Sequence, residues 1–214
     1  MARHAVLVSE LEASVGDNAV RAVLCSAPRG AGLSRALASF VEEVRGWGHR
    51  AELTDAERVG VQTGGGLDSL LRARLGIDIT ARGSVLLDAL DARAPDLEPL
   101  GREFLATSMG VLRPEFHVAR LDARSRQEGA QAEVGRWLSH GEGAFAWVID
   151  DALSLDNESL EFATWLVQSA DFPGLVVLAV RDDEKAVFDT RVKALRVSGR
   201  MKEVALPSLE HDAL

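Results

Sequence analysis

Three short apolar runs constrain this chain more than any other feature. Ala19 to Cys25 (AVRAVLC), Ala144 to Ile149 (AFAWVI) and Leu175 to Val180 (LVVLAV) are rich in Val, Leu, Ile and Ala, and each ends on a charged or glycine-rich turn. A strand with one wet face alternates polar and apolar residues. An uninterrupted run needs cover on both faces, which is the condition of a parallel sheet between helical layers. The intervening patterns agree. Leu37, Phe40, Val41, Val44 and Trp47 make one apolar stripe for a helix from about Ser34 to Trp47, frayed by Gly46 and Gly48. Leu160, Ala163, Val167 and Ala170 predict another from about Ser159 to Ala170, with Asp156 or Asn157 as its cap. Glu184 to Val197 reads as a third. Shorter strands are expected near Arg50 to Leu53 and at Met201 to Leu206, the last stopped by Pro207. The result is an α/β fold of five strands, with the three long runs side by side at the centre.

From Gly64 to about Leu112 there is no convincing strand. Gly64-Gly65-Gly66 reads as a joint or a helix entry, followed by short helices carrying Leu67, Leu70, Leu71 and Leu75, then Val85, Leu86, Ala89 and Leu90. Pro95 and Pro99 punctuate the chain after them, and a helix is expected from Ser125 to Ser139 with Val134, Trp137 and Leu138. These form a helical insert after strand 2.

The 214 residues suit one α/β domain. Thirty-three acids against 24 bases leave a formal charge of −9, which disfavours nucleic acid and anionic lipid as partners. One cysteine, Cys25, allows no internal disulfide and no thiolate cluster, and it reads as a small buried strand residue. His4, His49, His117, His140 and His211 are scattered, with no i, i+4 metal pair. Neither a signal peptide nor an apolar run of about 20 residues is visible, so a cytoplasmic protein is expected.

Between the first strand and the first helix lies Ala27-Pro28-Arg29-Gly30-Ala31-Gly32-Leu33-Ser34. A phosphate-binding loop needs glycines so that backbone N–H groups can cradle phosphate oxygens, a Lys for the β and γ phosphates, and a Ser or Thr for Mg²⁺. Set against G-x-x-x-x-G-K-[ST], this segment keeps Gly32 and Ser34 but has Ala27 for the first glycine and Leu33 for the lysine. Gly30 and Gly32 are equally what a tight strand-to-helix turn requires. Asp150 and Asp151 end the clearest strand, where open parallel sheets bind ligands; capping the next helix would also explain them. Arg181 ends the next strand, as a site residue or a plain strand-end charge.

The phrases VLCSAPRGAGLSRALASFVEEV, GLDSLLRARLGI, AWVIDDALSLDNESLEFATWL and LVVLAVRDDE resemble successive segments of the STAND-class AAA ATPase module of bacterial multidomain signalling proteins. The resemblance runs from about Ala19 to Leu206. It implies a P-loop NTPase sandwich with sheet order 5-1-4-3-2, and ATP or ADP with Mg²⁺ as ligands. Carried over by position, Gly30 and Gly32 would meet the phosphates, amid Arg29, Ala31, Leu33 and Arg35 of the same loop. Ser34 and Asp150 would meet the metal, Asp151 the attacking water and Arg181 the γ-phosphate. Arg29 or Arg35 would have to replace the missing lysine charge, although Arg35 is expected to point away along the helix. The resemblance implies other domains of a signalling assembly as partners, with an oligomer left open; that neither membrane nor direct nucleic acid is expected rests on the charge and the apolar-run lengths. No lid or winged helix follows the fifth strand, so residues 1–214 are expected to be one isolated domain. Two readings stay open: a regulatory nucleotide-binding domain with weak affinity and impaired hydrolysis, or a pseudo-ATPase interaction module that no longer binds nucleotide. An active ATPase using a substitute arginine is a third.

Overall fold

Residues 4–59 and 65–206 are described in the computed structural model of the chain. In order they form α1 (Ala5–Asp17), β1 (Val20–Ala27), α2 (Leu33–Gly46), β2 (Arg50–Asp55), α3 (Ala56–Val59), α4 (Gly65–Leu75), α5 (Gly83–Arg93), α6 (Pro99–Ser108), α7 (Ala123–Ser139), β3 (Phe145–Asp150), α8 (Asn157–Ser169), β4 (Gly174–Arg181), α9 (Lys185–Arg191), α10 (Lys193–Val197) and β5 (Met201–Ala205). The strands form one sheet in the order β2-β3-β4-β1-β5, and every neighbouring pair is parallel. This is the expected 5-1-4-3-2 order read from the other edge, the arrangement of an α/β P-loop NTPase-like fold.

The apolar runs are buried because alternate residues feed two separate cores. Val23 and Cys25 of β1, Ala146 and Val148 of β3, and Val177 and Ala179 of β4 pack with Leu7 and Leu11 of α1 and Leu37, Phe40 and Val44 of α2. Their neighbours Ala22, Leu24, Trp147, Ile149, Val176 and Leu178 pack on the opposite face with the helical insert and α8. Each large apolar side chain among them, fully buried, contributes about 1.5–3 kcal/mol. Trp147 is wholly enclosed, and its indole N–H donates to Thr54 Oγ1 at 3.0 Å, which satisfies the one polar atom it takes inside. Cys25 is buried, and burial pushes its thiol up to about 12.

Asp156 caps α8, accepting from the Ser159 backbone N–H at 3.0 Å. The same two side chains hold the start of α4, where Gly66 N–H donates to Asp156 and Leu67 N–H to Ser159 Oγ. A Cβ on Gly66 would lie 2.4 Å from Leu155 and 2.8 Å from Ser159 Oγ, so only glycine admits this approach. The glycine triplet is thus a helix entry, with Gly64 outside the described residues. Pro99 opens α6 rather than breaking the chain, because its missing N–H falls at a position with no intrahelical partner. The single helix expected over Glu184–Val197 is instead two, α9 and α10, divided at Val192.

Candidate functional site

The chain leaves β1 toward β2 and leaves β4 toward β5, in opposite directions across the sheet. Where connections diverge in this way, a crevice opens beyond the carboxyl ends of the strands. A cleft of about 450 Å³ lies there. It brings together all the residues singled out from the sequence: Arg29 to Arg35 on one side, Asp150, Asp151 and Arg181 on the other.

The loop side is built by backbone. Gly30 and Gly32 are left-handed, with φ of 79° and 76°, and Ala31 N–H donates to Pro28 O at 3.1 Å to close the turn. Gly32 is the N-cap of α2 and offers no side-chain bond, so the first-turn N–H groups of Leu33, Ser34 and Arg35 have no side-chain cap. An uncapped helix start presents donors and a partial positive charge to the cleft. Ser34 and Arg35 are both exposed, and both line the cleft. Leu33 is half-buried and packs against an apolar cluster of Ala27, Ala31, Ala36 and Leu206. The two residues that depart from the phosphate-loop pattern, Ala27 and Leu33, therefore belong to one apolar patch.

The acid side is built by strand ends. Asp150 is the last residue of β3, and its carboxylate accepts from the Asp151 N–H at 3.0 Å. Asp151 is left-handed at φ 52°; among the described residues only Asn18 shares this among non-glycines. Asparagine and aspartate tolerate that region, but at some cost, and such residues gather at functional sites and tight turns. Asp151 accepts from Ser154 Oγ at 3.3 Å, while α8 is capped by Asp156, so neither strand-end acid is used to cap that helix. Arg181 lies beside Ala27 in register and is held by Glu184 at 3.2 Å; Arg29 faces Asp183 at 3.9 Å. Two of the three cleft arginines, Arg29 and Arg181, thus already have a carboxylate neighbour from the turn after β4.

Two further acids line the cleft, Asp55 and Glu57. Asp55 ends β2 opposite Asp150 in register, and both its oxygens are engaged by Arg58. The signal was in the sequence, since Asp55 closes a strand as Asp150 does, but β2 was expected to end at Leu53. Among the described residues no group of three or more His, Cys, Asp or Glu side chains is close enough to hold a metal ion by itself.

No family model matches the sequence, and no curated protein does. Solved structures match in fold. Drosophila ORC bound to AT-rich DNA and Cdc6 superposes with a TM-score of 0.53 at 10% identity, over 95% of this chain and 28% of that one. Drosophila ORC bound to GC-rich DNA and Cdc6 gives 0.51 at 10% identity, over 98% and 29%. This chain spans less than a third of the length of those two. The likeness shows the fold alone. No helix among the described residues is long and apolar enough to cross a membrane.

Proposed function

We propose that this chain is a regulatory nucleotide-binding domain of the STAND type, one domain over residues 1–214, which takes Mg-ATP or Mg-ADP weakly and turns it over slowly or not at all. One observation carries the reading: an uncapped helix start behind two left-handed glycines opens into a 450 Å³ cleft facing Asp150 and Asp151. Backbone donors in that arrangement suit phosphate oxygens. Ser34 and Asp150 are hard oxygen ligands of the kind Mg²⁺ takes alongside phosphates, so a protein-only cage is not required. Bound there, the metal would supply the positive charge that phosphate needs and Leu33 does not. Asp151 would orient a water, and Arg181 would serve the terminal phosphate only after release from Glu184.

The charge balance supports weakness. Four carboxylates, Asp55, Glu57, Asp150 and Asp151, line the cleft against three arginines, Arg29, Arg35 and Arg181. A missing charge-assisted phosphate contact lowers affinity by about ten- to a hundredfold. Binding should therefore depend on Mg²⁺. The second reading, a pseudo-ATPase interaction module, is favoured by the packing of Leu33 into the apolar patch with Ala27. In either reading the partners are other domains of a bacterial signalling assembly, or further copies of the chain. The formal charge of −9 argues against direct nucleic-acid binding. Calorimetry with ATP, with and without Mg²⁺, tests the choice. Mg²⁺-dependent heat with phosphate release at background supports the first reading, and no heat in either arm leaves the second. Phosphate release that vanishes in Asp150→Ala would overturn the claim of impaired turnover.

A further inference from the structure

At the opposite end of the sheet, near the first residues of β2 and β3, a second pocket of about 450 Å³ is walled by Arg74, Arg93, Trp137, His140, Gly141 and Asp96, among others. It lies about 16 Å from the cleft along β2, five residues at roughly 3.3 Å each. Arg74 is half-buried with its guanidinium over the Trp137 ring, 5.8 Å from the centroid, and among the described residues it makes no hydrogen bond or ion pair. Its Nε is enclosed without a partner, and so is the Nε of Arg50. These two arginines meet at Gly141, where an added methyl would lie 3.4 Å from Arg50 Cδ and 3.6 Å from Arg74 Nη2.

Arg50 has a structural duty: it donates to the carbonyls of Leu138, His140 and Gly143 at the end of α7 and beyond. Arg93 gives one N–H to Leu75 O at 3.2 Å, which leaves its other donors free, and His140 is exposed. Among the described residues no carboxylate is bonded to Arg50, Arg74 or Arg93. Asp96 sits in the wall without pairing, and the nearby Glu52 is held by Arg45 at 3.1 Å. Burial, and secondarily the charge of Arg74, push Arg50 down to about 10, so Arg50 remains charged at neutral pH. Guanidinium groups this close repel one another, and enclosed donors without acceptors are costly. A multiply charged tetrahedral anion in the pocket offsets the repulsion, and the outer guanidinium nitrogens of the lining arginines match phosphate oxygens. We infer that this pocket binds a phosphate monoester, with Arg74 and Arg93 as its direct ligands, His140 at its mouth and Trp137 as its apolar floor.

Amide-resolved NMR of the full chain, titrated with inorganic phosphate, phenyl phosphate, a phosphoserine peptide and acetate, tests this. Saturable shifts should appear at residues 93–97 and 137–141, tighter for phenyl phosphate than for inorganic phosphate because of Trp137, and at least about tenfold weaker for acetate. Tighter binding of the peptide than of phenyl phosphate would name a phosphorylated protein as the source, and the reverse a small ester. Arg74→Gln should weaken binding about tenfold. The exposed Arg93→Gln, which leaves the fold alone, should also weaken it. Shifts confined to residues 28–35, equal affinity for acetate, or unchanged binding in Arg93→Gln with a folded Arg74→Gln would overturn the proposal.

Discussion

The glycine loop and the strand-end acids face each other across one cleft, yet their side chains are engaged differently. On the loop side Leu33 turns toward Ala27, Ala31, Ala36 and Leu206, and the helix start offers a ligand its backbone donors. On the acid side Asp150 and Asp151 bond to their near neighbours in sequence, and Asp151 holds a left-handed backbone. A phosphate site is a charge arrangement supported by a backbone arrangement. Here the helix start has no side-chain cap, while Leu33, where the phosphate-loop pattern has a lysine, packs into an apolar patch. Loop substitutions should therefore move stability, and acid substitutions should move ligand dependence.

The largest effect expected on the loop side is at Gly30. With φ at 79° and nothing within 4 Å of an added methyl, Gly30→Ala costs only backbone strain, about 1–2 kcal/mol. A melting temperature unchanged by this variant would mean that the loop relaxes freely and holds no preformed cradle. Next comes Leu33→Lys, alone and with Ala27→Gly. Because Leu33 is half-buried, the single variant should lose about 1 kcal/mol or less of stability, softened by the length of the lysine stem. It should gain about tenfold in Mg-ATP affinity. Loss of stability with no gain in affinity would remove the nucleotide site and leave the interaction module. Asp151→Gly is the third, relieving the left-handed strain. A rise of about 2–4 °C in melting temperature is expected if the gain approaches 1 kcal/mol. A fall would show that the Ser154 contact outweighs the strain.

The central strands were legible in the sequence because full burial on both faces forces continuous apolar runs, and the sheet order came from the resemblance those runs supported. Residues that function through backbone or through distance were harder to read. Pro99 reads as punctuation until its place at the first turn of α6 is seen. The α1 helix escaped because its buried face, Leu7, Glu10, Leu11 and Ser14, is half polar while Val6 and Val15 lie off it, so no apolar stripe marks the packing against β1 and β4 that holds it. In the cleft, the strand-end residues Asp150, Asp151 and Arg181 were visible as ends of clear strands. Asp55 was not, because β2 is short and its boundary was placed two residues early. The partners of Arg29 and Arg181 lay in a turn whose direction no periodicity encodes.

The smallest structural effect, and the sharpest division between the two sides, belongs to Asp150→Asn. The side chain is partly exposed at the end of β3, and it accepts the N–H of the next residue, which an asparagine oxygen also accepts. Stability should change by no more than about 0.5 kcal/mol, as for substitutions away from the core. Removing one carboxylate takes away a hard ligand for Mg²⁺ and also one of the four negative charges lining the cleft. These two consequences have opposite signs. Binding of Mg-ATP should weaken if Asp150 holds the metal, whereas binding of ATP without Mg²⁺ should strengthen because repulsion falls. Calorimetry of both nucleotide forms on one variant therefore reads the metal role separately from the field. If both forms tighten together, Asp150 acts only through its charge, and the acid side is no more a metal site than the loop side is a lysine site.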